Sequence, residues 1–302
     1  MTVADDAYQA IQKAFDAPWP GPRGDRIALG HDELRATLYP ADGCRIASLT
    51  AFGSEVLRSY TPERRGFQYG CFPMVPWVGR VRNGILHHAG QDHPLPVNKP
   101  PHAMHGMACF APWDCLEASG TAALFRLRLT SPWPWPGQVL QRVSITNTTL
   151  DVELMIESDG QTFPAAAGWH PWFRKWLGQP GDPTPVTAGP QSEALRVRFA
   201  ADWQEEPDDT ELYTGRRIAP QPGPYDDCFG FEGSLRATLE WPDRLTLDMT
   251  SPTSTMVVFD KQPDATCVEP LSGPPNGVNT APTLVSPAQP LRLSTRWVFT
   301  QR

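Results

Sequence analysis

The chain has 302 residues, with 26 Lys and Arg against 33 Asp and Glu, for a net charge of −7. That length suits one large all-β domain or two ordinary ones. The negative balance argues against a nucleic-acid partner, which needs a basic face, and no apolar run is long enough to cross a bilayer.

Residues 1–25 stand apart from the rest. The opening MTVADDAYQ lacks the basic and then apolar layout of a signal peptide, so a cytoplasmic location is expected. Tyr8, Ile11 and Phe15 follow helical spacing after the candidate caps Asp5 and Asp6, which predicts a short amphipathic helix ended by PWPGPRG. Packing on the main domain, association into a homodimer and a mobile tail are all readings open to this extension.

From residue 26 onward the period changes to two. Ile27 and Leu29, then Leu34, Ala36 and Leu38, alternate with polar residues around an expected turn at His31–Asp32. The same alternation returns at Phe125–Leu129, Leu150–Ile156, Leu195–Phe199, Leu235–Leu239, Leu245–Met249 and Leu291–Leu293, each set bounded by turn-forming residues. The 34 Pro and 24 Gly are spread along the chain, as many turns between short strands require. The fold class read from this is all-β, antiparallel, with sheets packed face to face over residues 26–302. Two Pro-rich stretches, 178–191 and 218–224, are expected to be surface loops. The six cysteines form no C-x-x-C pair and are given no role.

Five segments carry polar residues amid Gly, Pro and Trp. In FPMVPWVGRVRNG (72–84), Arg80 lies in an apolar stretch and needs a partner if buried. Trp77 offers either a core side chain or a ring face for the apolar C–H patches of a sugar. In PHAMHGM (101–107), His102 and His105 lie three apart, but the flanking Pro and Gly deny them the helix that metal binding at that spacing needs. His105 reads better as a hydrogen-bonding or proton-donating group. In AAAGWHPWF (165–173), His170 sits between tryptophans, either as a satisfied core histidine or as a proton-transfer group. Tyr225–Phe229 offers Asp226 and Asp227. In ATCVEPLSGPPNGVN (265–279), Glu269 closes a strand before Pro270 and is either ion-paired with Arg80 or a general base.

Together and in this order, these segments resemble the aldose 1-epimerase (galactose mutarotase) family over roughly residues 26–300. E-P-x-S-G-P-P-N is the most specific of them. The resemblance implies a large β-supersandwich with a shallow cleft, a free sugar as partner and no cofactor. It implies Glu269 as general base and His170 as general acid, with Arg80, His105 and Asp226 holding the sugar and Asp227 as the alternative aspartate. Three departures from the common family form are Met107 for a second glycine, Arg82–Asn83–Gly84 where a second arginine a few residues after the first is usual, and Trp169 where an asparagine precedes the acid histidine. A hexose-6-phosphate epimerase on the same scaffold would need further cations, for which Arg64, Arg65, Arg82 and Arg174 are candidates. A glycoside hydrolase using Glu269 with Asp226 and a non-catalytic sugar-binding protein are the other readings.

Overall fold

The alternating sets are strands with their apolar members turned inward. Along Thr149–Ser158, for example, Leu150, Val152, Leu154 and Ile156 are buried, while Glu153 between them is exposed. The structure, a computed structural model, describes residues 11–13, 15–184 and 193–302. Most of the predicted N-terminal helix, Tyr8 included, and residues 185–192 of the first Pro-rich stretch lie outside the described residues.

Two antiparallel sheets hold the core between them. The eleven-stranded sheet contains, in spatial order, Arg45–Ala51, Ser54–Leu57, Gly168–Gly178, Ala265–Leu271, Thr255–Phe259 and Asp226–Gly230, flanked by the hairpins that open the chain and that follow Trp203. Cys71–Met74 joins it by pairing with Gly168–Gly178. The eight-stranded sheet is centred on Thr149–Ser158 and Leu291–Gln301. The first turn sits one residue later than expected, at Asp32–Glu33, where Asp32 adopts a left-handed conformation (φ 44°).

Bulky rings fill the space between the sheets. Phe173 packs on Trp297 at a centroid distance of 5.2 Å, and buried Trp241 donates its indole N–H to the Arg174 carbonyl at 2.9 Å. Gln141, fully buried, bridges the layers: its Oε1 accepts from Trp169 Nε1 at 3.0 Å and its Nε2 donates to the Cys44 carbonyl at 2.9 Å. Trp169 is therefore a core residue satisfied from the opposite sheet. Among the described residues, no helix is long and apolar enough to cross a membrane.

A buried ionic cluster flanks the Gly168–Gly178 strand. Arg58 makes a bidentate pair with Asp264 (2.8 and 2.7 Å), and Arg64 adds a third contact at 3.0 Å. Removing a buried anion leaves its cations unpaired, at about 3–5 kcal/mol. Asp264→Ala is therefore expected to lose stability on that scale in denaturant melts. A change of less than about 1 kcal/mol, the size of an exposed pair, would contradict this account.

Candidate active site

Period-two alternation decides what reaches the cleft. In Gly168–Gly178, Trp169 and Phe173 face the opposite sheet, so His170 and Trp172 face away from it. In Ala265–Leu271, Glu269 and Leu271 line the cleft while Thr266, Val268 and Pro270 do not. The register that pairs Gly168 with Leu271 and Trp172 with Cys267 sets His170 opposite Glu269. Glycine at position 168 leaves room for this pairing: a Cβ there would lie 2.4 Å from the end of the Leu271 side chain and 3.0 Å from the Pro270 carbonyl oxygen.

His170 Nε2 lies 3.2 Å from Glu269 Oε1, and both residues are buried at 5% and 3% exposure. The imidazole is held between two near-parallel rings, Phe72 at 4.9 Å and Trp172 at 5.1 Å, which fix its plane. Arg58 caps the Trp172 ring at 4.7 Å and Arg45 the Phe72 ring at 4.9 Å, tying this clamp to buried ion pairs. His105 meets His170 edge-on at 4.9 Å. Its Nδ1 is buried without a hydrogen-bond partner among the described residues.

The cleft encloses about 400 Å³, within the usual range for small-molecule sites. Arg80, Glu211 and Asp226 form a charged side, and Phe15, Phe67 and Trp172 an aromatic one. A depression of about 500 Å³ on the eight-stranded sheet, lined by residues such as Ser144 and Arg236, has no histidine in its wall. The cleft with the buried pair is the candidate chemical site.

Burial pushes the titrating groups toward their neutral forms. It raises Glu269 well above the ordinary carboxylate range, with Asp226 adding to the effect and Arg80 opposing it. It lowers His170 to about 3, and it lowers His105 well below an ordinary imidazole, helped by His170 and Arg80. Asp226 is raised by burial, against the pull of Arg80 and Lys261. With the carboxyl raised and the imidazole lowered, a single proton held by the two groups in contact rests on the carboxyl. Together with Cys267, the pair presents three ligand-type atoms within 4.8 Å of one another. Burial raises that thiol well above its ordinary range, so metal ligation would first have to strip a strongly held proton.

Five of the expected site residues besides the pair can now be placed. Arg80 and His105 line the cleft, and so does Asp226. Asp227 is occupied elsewhere, accepting from Gln204 Nε2 at 2.8 Å and from the Asp226 amide at 3.0 Å. Arg80 pairs with Glu211 at 2.9 Å, while Glu269 takes His170 as its partner. Trp77 corrects the expectation of a sugar platform: it is fully buried and stacked on Trp133 at 6.0 Å, so neither ring face reaches the cleft. The histidines spaced three apart diverge. His102 accepts from the Asn83 amide at Nδ1 (3.2 Å) and meets the Thr210 carbonyl at Nε2 (3.0 Å), whereas His105 faces His170.

The remaining motif residues serve the frame. Gly106 (φ 70°) must be glycine, because a Cβ would fall 2.2 Å from the Val75 carbonyl oxygen that accepts from the Met107 amide. Asn276 Oδ1 accepts from the Arg82 amide at 3.1 Å, and Ser272 exchanges two hydrogen bonds with Ala167. The E-P-x-S-G-P-P-N run thus staples the glutamate strand to the arginine and histidine segments. None of the four arginines proposed for a phosphate lines the cleft, and each is engaged by another group. Arg64 binds Asp264, Arg65 the Phe15 carbonyl, Arg82 Asp208, and Arg174 is buried against Leu57 and Asp182 carbonyls. Sequence reasoning missed Glu211 and Phe15. Neither carries a motif, and only the folded chain brings them to the cleft.

Comparison with known proteins bears on the fold and the family. Of the chain, residues 25–293 match the family model described as Aldose 1-epimerase. The Escherichia coli protein YihR is 25% identical over 156 residues, and the aligned part spans 50% of each chain. The chain thus spans about half the length of that curated relative. The fold is similar to that of the GalM/aldose epimerase homologue from C. elegans, with a TM-score of 0.76 at 15% identity, covering 92% of this chain and 99% of that one. It is also similar to galactose 1-epimerase from Lactobacillus acidophilus, with a TM-score of 0.72 at 17% identity, covering 94% and 98%. With a family match over most of its length and the family's fold, the chain belongs to the aldose 1-epimerase family.

Proposed function

We propose that the protein interconverts the α and β anomers of a free aldose, with Glu269 and His170 as the proton-transfer pair. The single observation that carries this reading is the 3.2 Å contact between those two groups in the wall of a sugar-sized cleft. Exchange of anomers requires the ring to open, the aldehyde to turn and the ring to close. Opening removes a proton from the anomeric hydroxyl and delivers one to the ring oxygen. Two groups that share one proton suffice: one accepts at the hydroxyl while the other donates at the ring oxygen, and closure reverses the roles. Burial leaves the shared proton on Glu269 in the resting pair; its passage to His170 across the 3.2 Å contact frees Glu269 to accept at the hydroxyl and equips His170 to donate at the ring oxygen. No hydride moves and no lasting covalent bond forms.

Arg80, His105 and Asp226 hold and orient the sugar from the same cleft. The engagement of Arg64, Arg65, Arg82 and Arg174 elsewhere favours a free sugar over a phosphorylated one. Polarimetry on freshly dissolved anomers tests the reading, beginning with galactose, the sugar named for one structural neighbour. No acceleration over buffer with any common aldose would refute it.

The electrostatics of the pair give a further expected result. The pH dependence of kcat/KM reports the free protein. His170 is lowered from 6.5 to about 3 and Glu269 is raised above 4.5, so burial widens the pH range of the one-proton state at both ends. The acid limb is expected well below pH 6.5 and the alkaline limb well above pH 4.5, leaving a plateau between them. An acid limb at 6.5, the value of a solvated imidazole, would contradict the buried pair.

A further inference from the structure

The segment that precedes the family-matched residues 25–293 reaches the cleft. Phe15 is half-buried, lies in the cleft wall, and stacks on Phe67 at a centroid distance of 4.2 Å. Phe67 in turn touches His105 at 5.4 Å. The wall is therefore continuous from the N-terminal segment to the histidines beside Glu269.

The segment is anchored on both sides of this contact. Arg65 Nε donates to the Phe15 carbonyl at 2.9 Å. Four residues on, Trp19 Nε1 donates to Asp42 at 2.6 Å, the Trp19 amide donates to the Arg64 carbonyl at 3.0 Å, and Tyr60 donates to the Trp19 carbonyl at 3.0 Å. Asp42 is itself fully buried against Arg45. On the other side Ile11 is buried in the core. Such anchorage exceeds what a trailing terminus needs, and its effect is to fix one aromatic ring against the cleft.

We propose that Phe15 is a specificity-determining residue, through which the N-terminal segment supplies an apolar wall that packs against the C–H face of a free pyranose. The inference rests on the proposed sugar-binding role of the cleft and names the face of the sugar that is read. A phenyl ring offers no hydrogen bond, so it favours a face of ring C–H groups and disfavours a charged substituent such as a phosphate at that end. Arg80 and Asp226, on the charged side, are left to read hydroxyls.

The test compares the full-length protein with Phe15→Ala, Phe15→Leu and Phe15→Tyr, using D-glucose, D-galactose and D-xylose. For the best sugar, Phe15→Ala is expected to raise KM about tenfold, equivalent to about 1.4 kcal/mol, with kcat within about twofold. Phe15→Tyr, which keeps the ring, restores KM. Phe15→Leu keeps apolar packing on Phe67 and serves if the alanine variant folds poorly; it is expected to lie between the two. A purely structural role for Phe15 would lower the melting temperature without this split between KM and kcat. An unchanged KM in folded alanine or leucine variants overturns the proposal. If the wild type accelerates no aldose, the enzymatic reading fails on its own, and calorimetric titration of the same sugars still decides the wall. Equal affinity for wild type and Phe15→Ala, or no binding to either, overturns it there too.

Discussion

Glu269→Gln is expected to lower the mutarotation rate on the order of 10²- to 10⁴-fold, the range a positioned proton-transfer group contributes. The fold should be untouched. Gln matches the shape of the carboxyl and keeps a hydrogen bond to His170 Nε2, now 3.2 Å from Oε1. It is also neutral, as burial already drives Glu269 to be. The stability consequence has a definite sign. A carboxyl whose folded pKa is raised above 4.5 favours the folded state fully below that value, and that advantage is lost as pH rises. The amide escapes this loss. Against wild type, the variant should therefore become relatively more stable as pH rises above 4.5, while its rate stays near that of buffer. Activity lost together with stability gained is the signature of a group kept for chemistry. Near-normal rates by polarimetry in a folded variant would refute the role of Glu269.

The sequence carried the site in proportion to how local its constraints are. E-P-x-S-G-P-P-N is legible because Ser272 and Asn276 must stitch neighbouring segments together, which fixes residue types at fixed spacing. His170 and Glu269 are legible for a related reason: period two and an antiparallel register set them opposite each other. Trp77 misled, because a tryptophan near an arginine reads the same in a core as in a cleft. Only the stacking on Trp133 decides between them. Asp226 and Asp227 differ by one strand position, and the hydrogen bond from Gln204 settles which one is occupied elsewhere. The placing of the four candidate phosphate arginines was not legible, because partners such as Asp264 and Asp208 lie over a hundred residues away in sequence. Glu211 and Phe15 were invisible for the same reason. A cleft wall assembled from distant loops leaves no pattern in any one of them.

His170→Asn is the second large effect, again on the order of 10²- to 10⁴-fold in rate. Asparagine neither titrates near neutrality nor fills the slot between Phe72 and Trp172. Loss of that ring packing costs about 0.5–1.5 kcal/mol per aromatic contact near neutral pH. The cost should shrink on acidification. Because the folded pKa of His170 is lowered to about 3, the unfolded chain binds more protons between 6.5 and 3, and wild type loses stability as pH falls through that window. Asparagine has no such loss, so urea melts of the two proteins should converge between pH 6.5 and pH 4. The residual rate has a candidate carrier in His105, whose ring lies 4.9 Å from that of His170. Its own depression below an ordinary imidazole owes part of its size to His170, so removing His170 makes His105 easier to protonate. The residual rate of His170→Asn should therefore rise toward acid pH, and a second change, His105→Asn, should abolish it. A residual that is flat with pH, or that survives the double substitution, would show that His105 takes no part in the proton traffic.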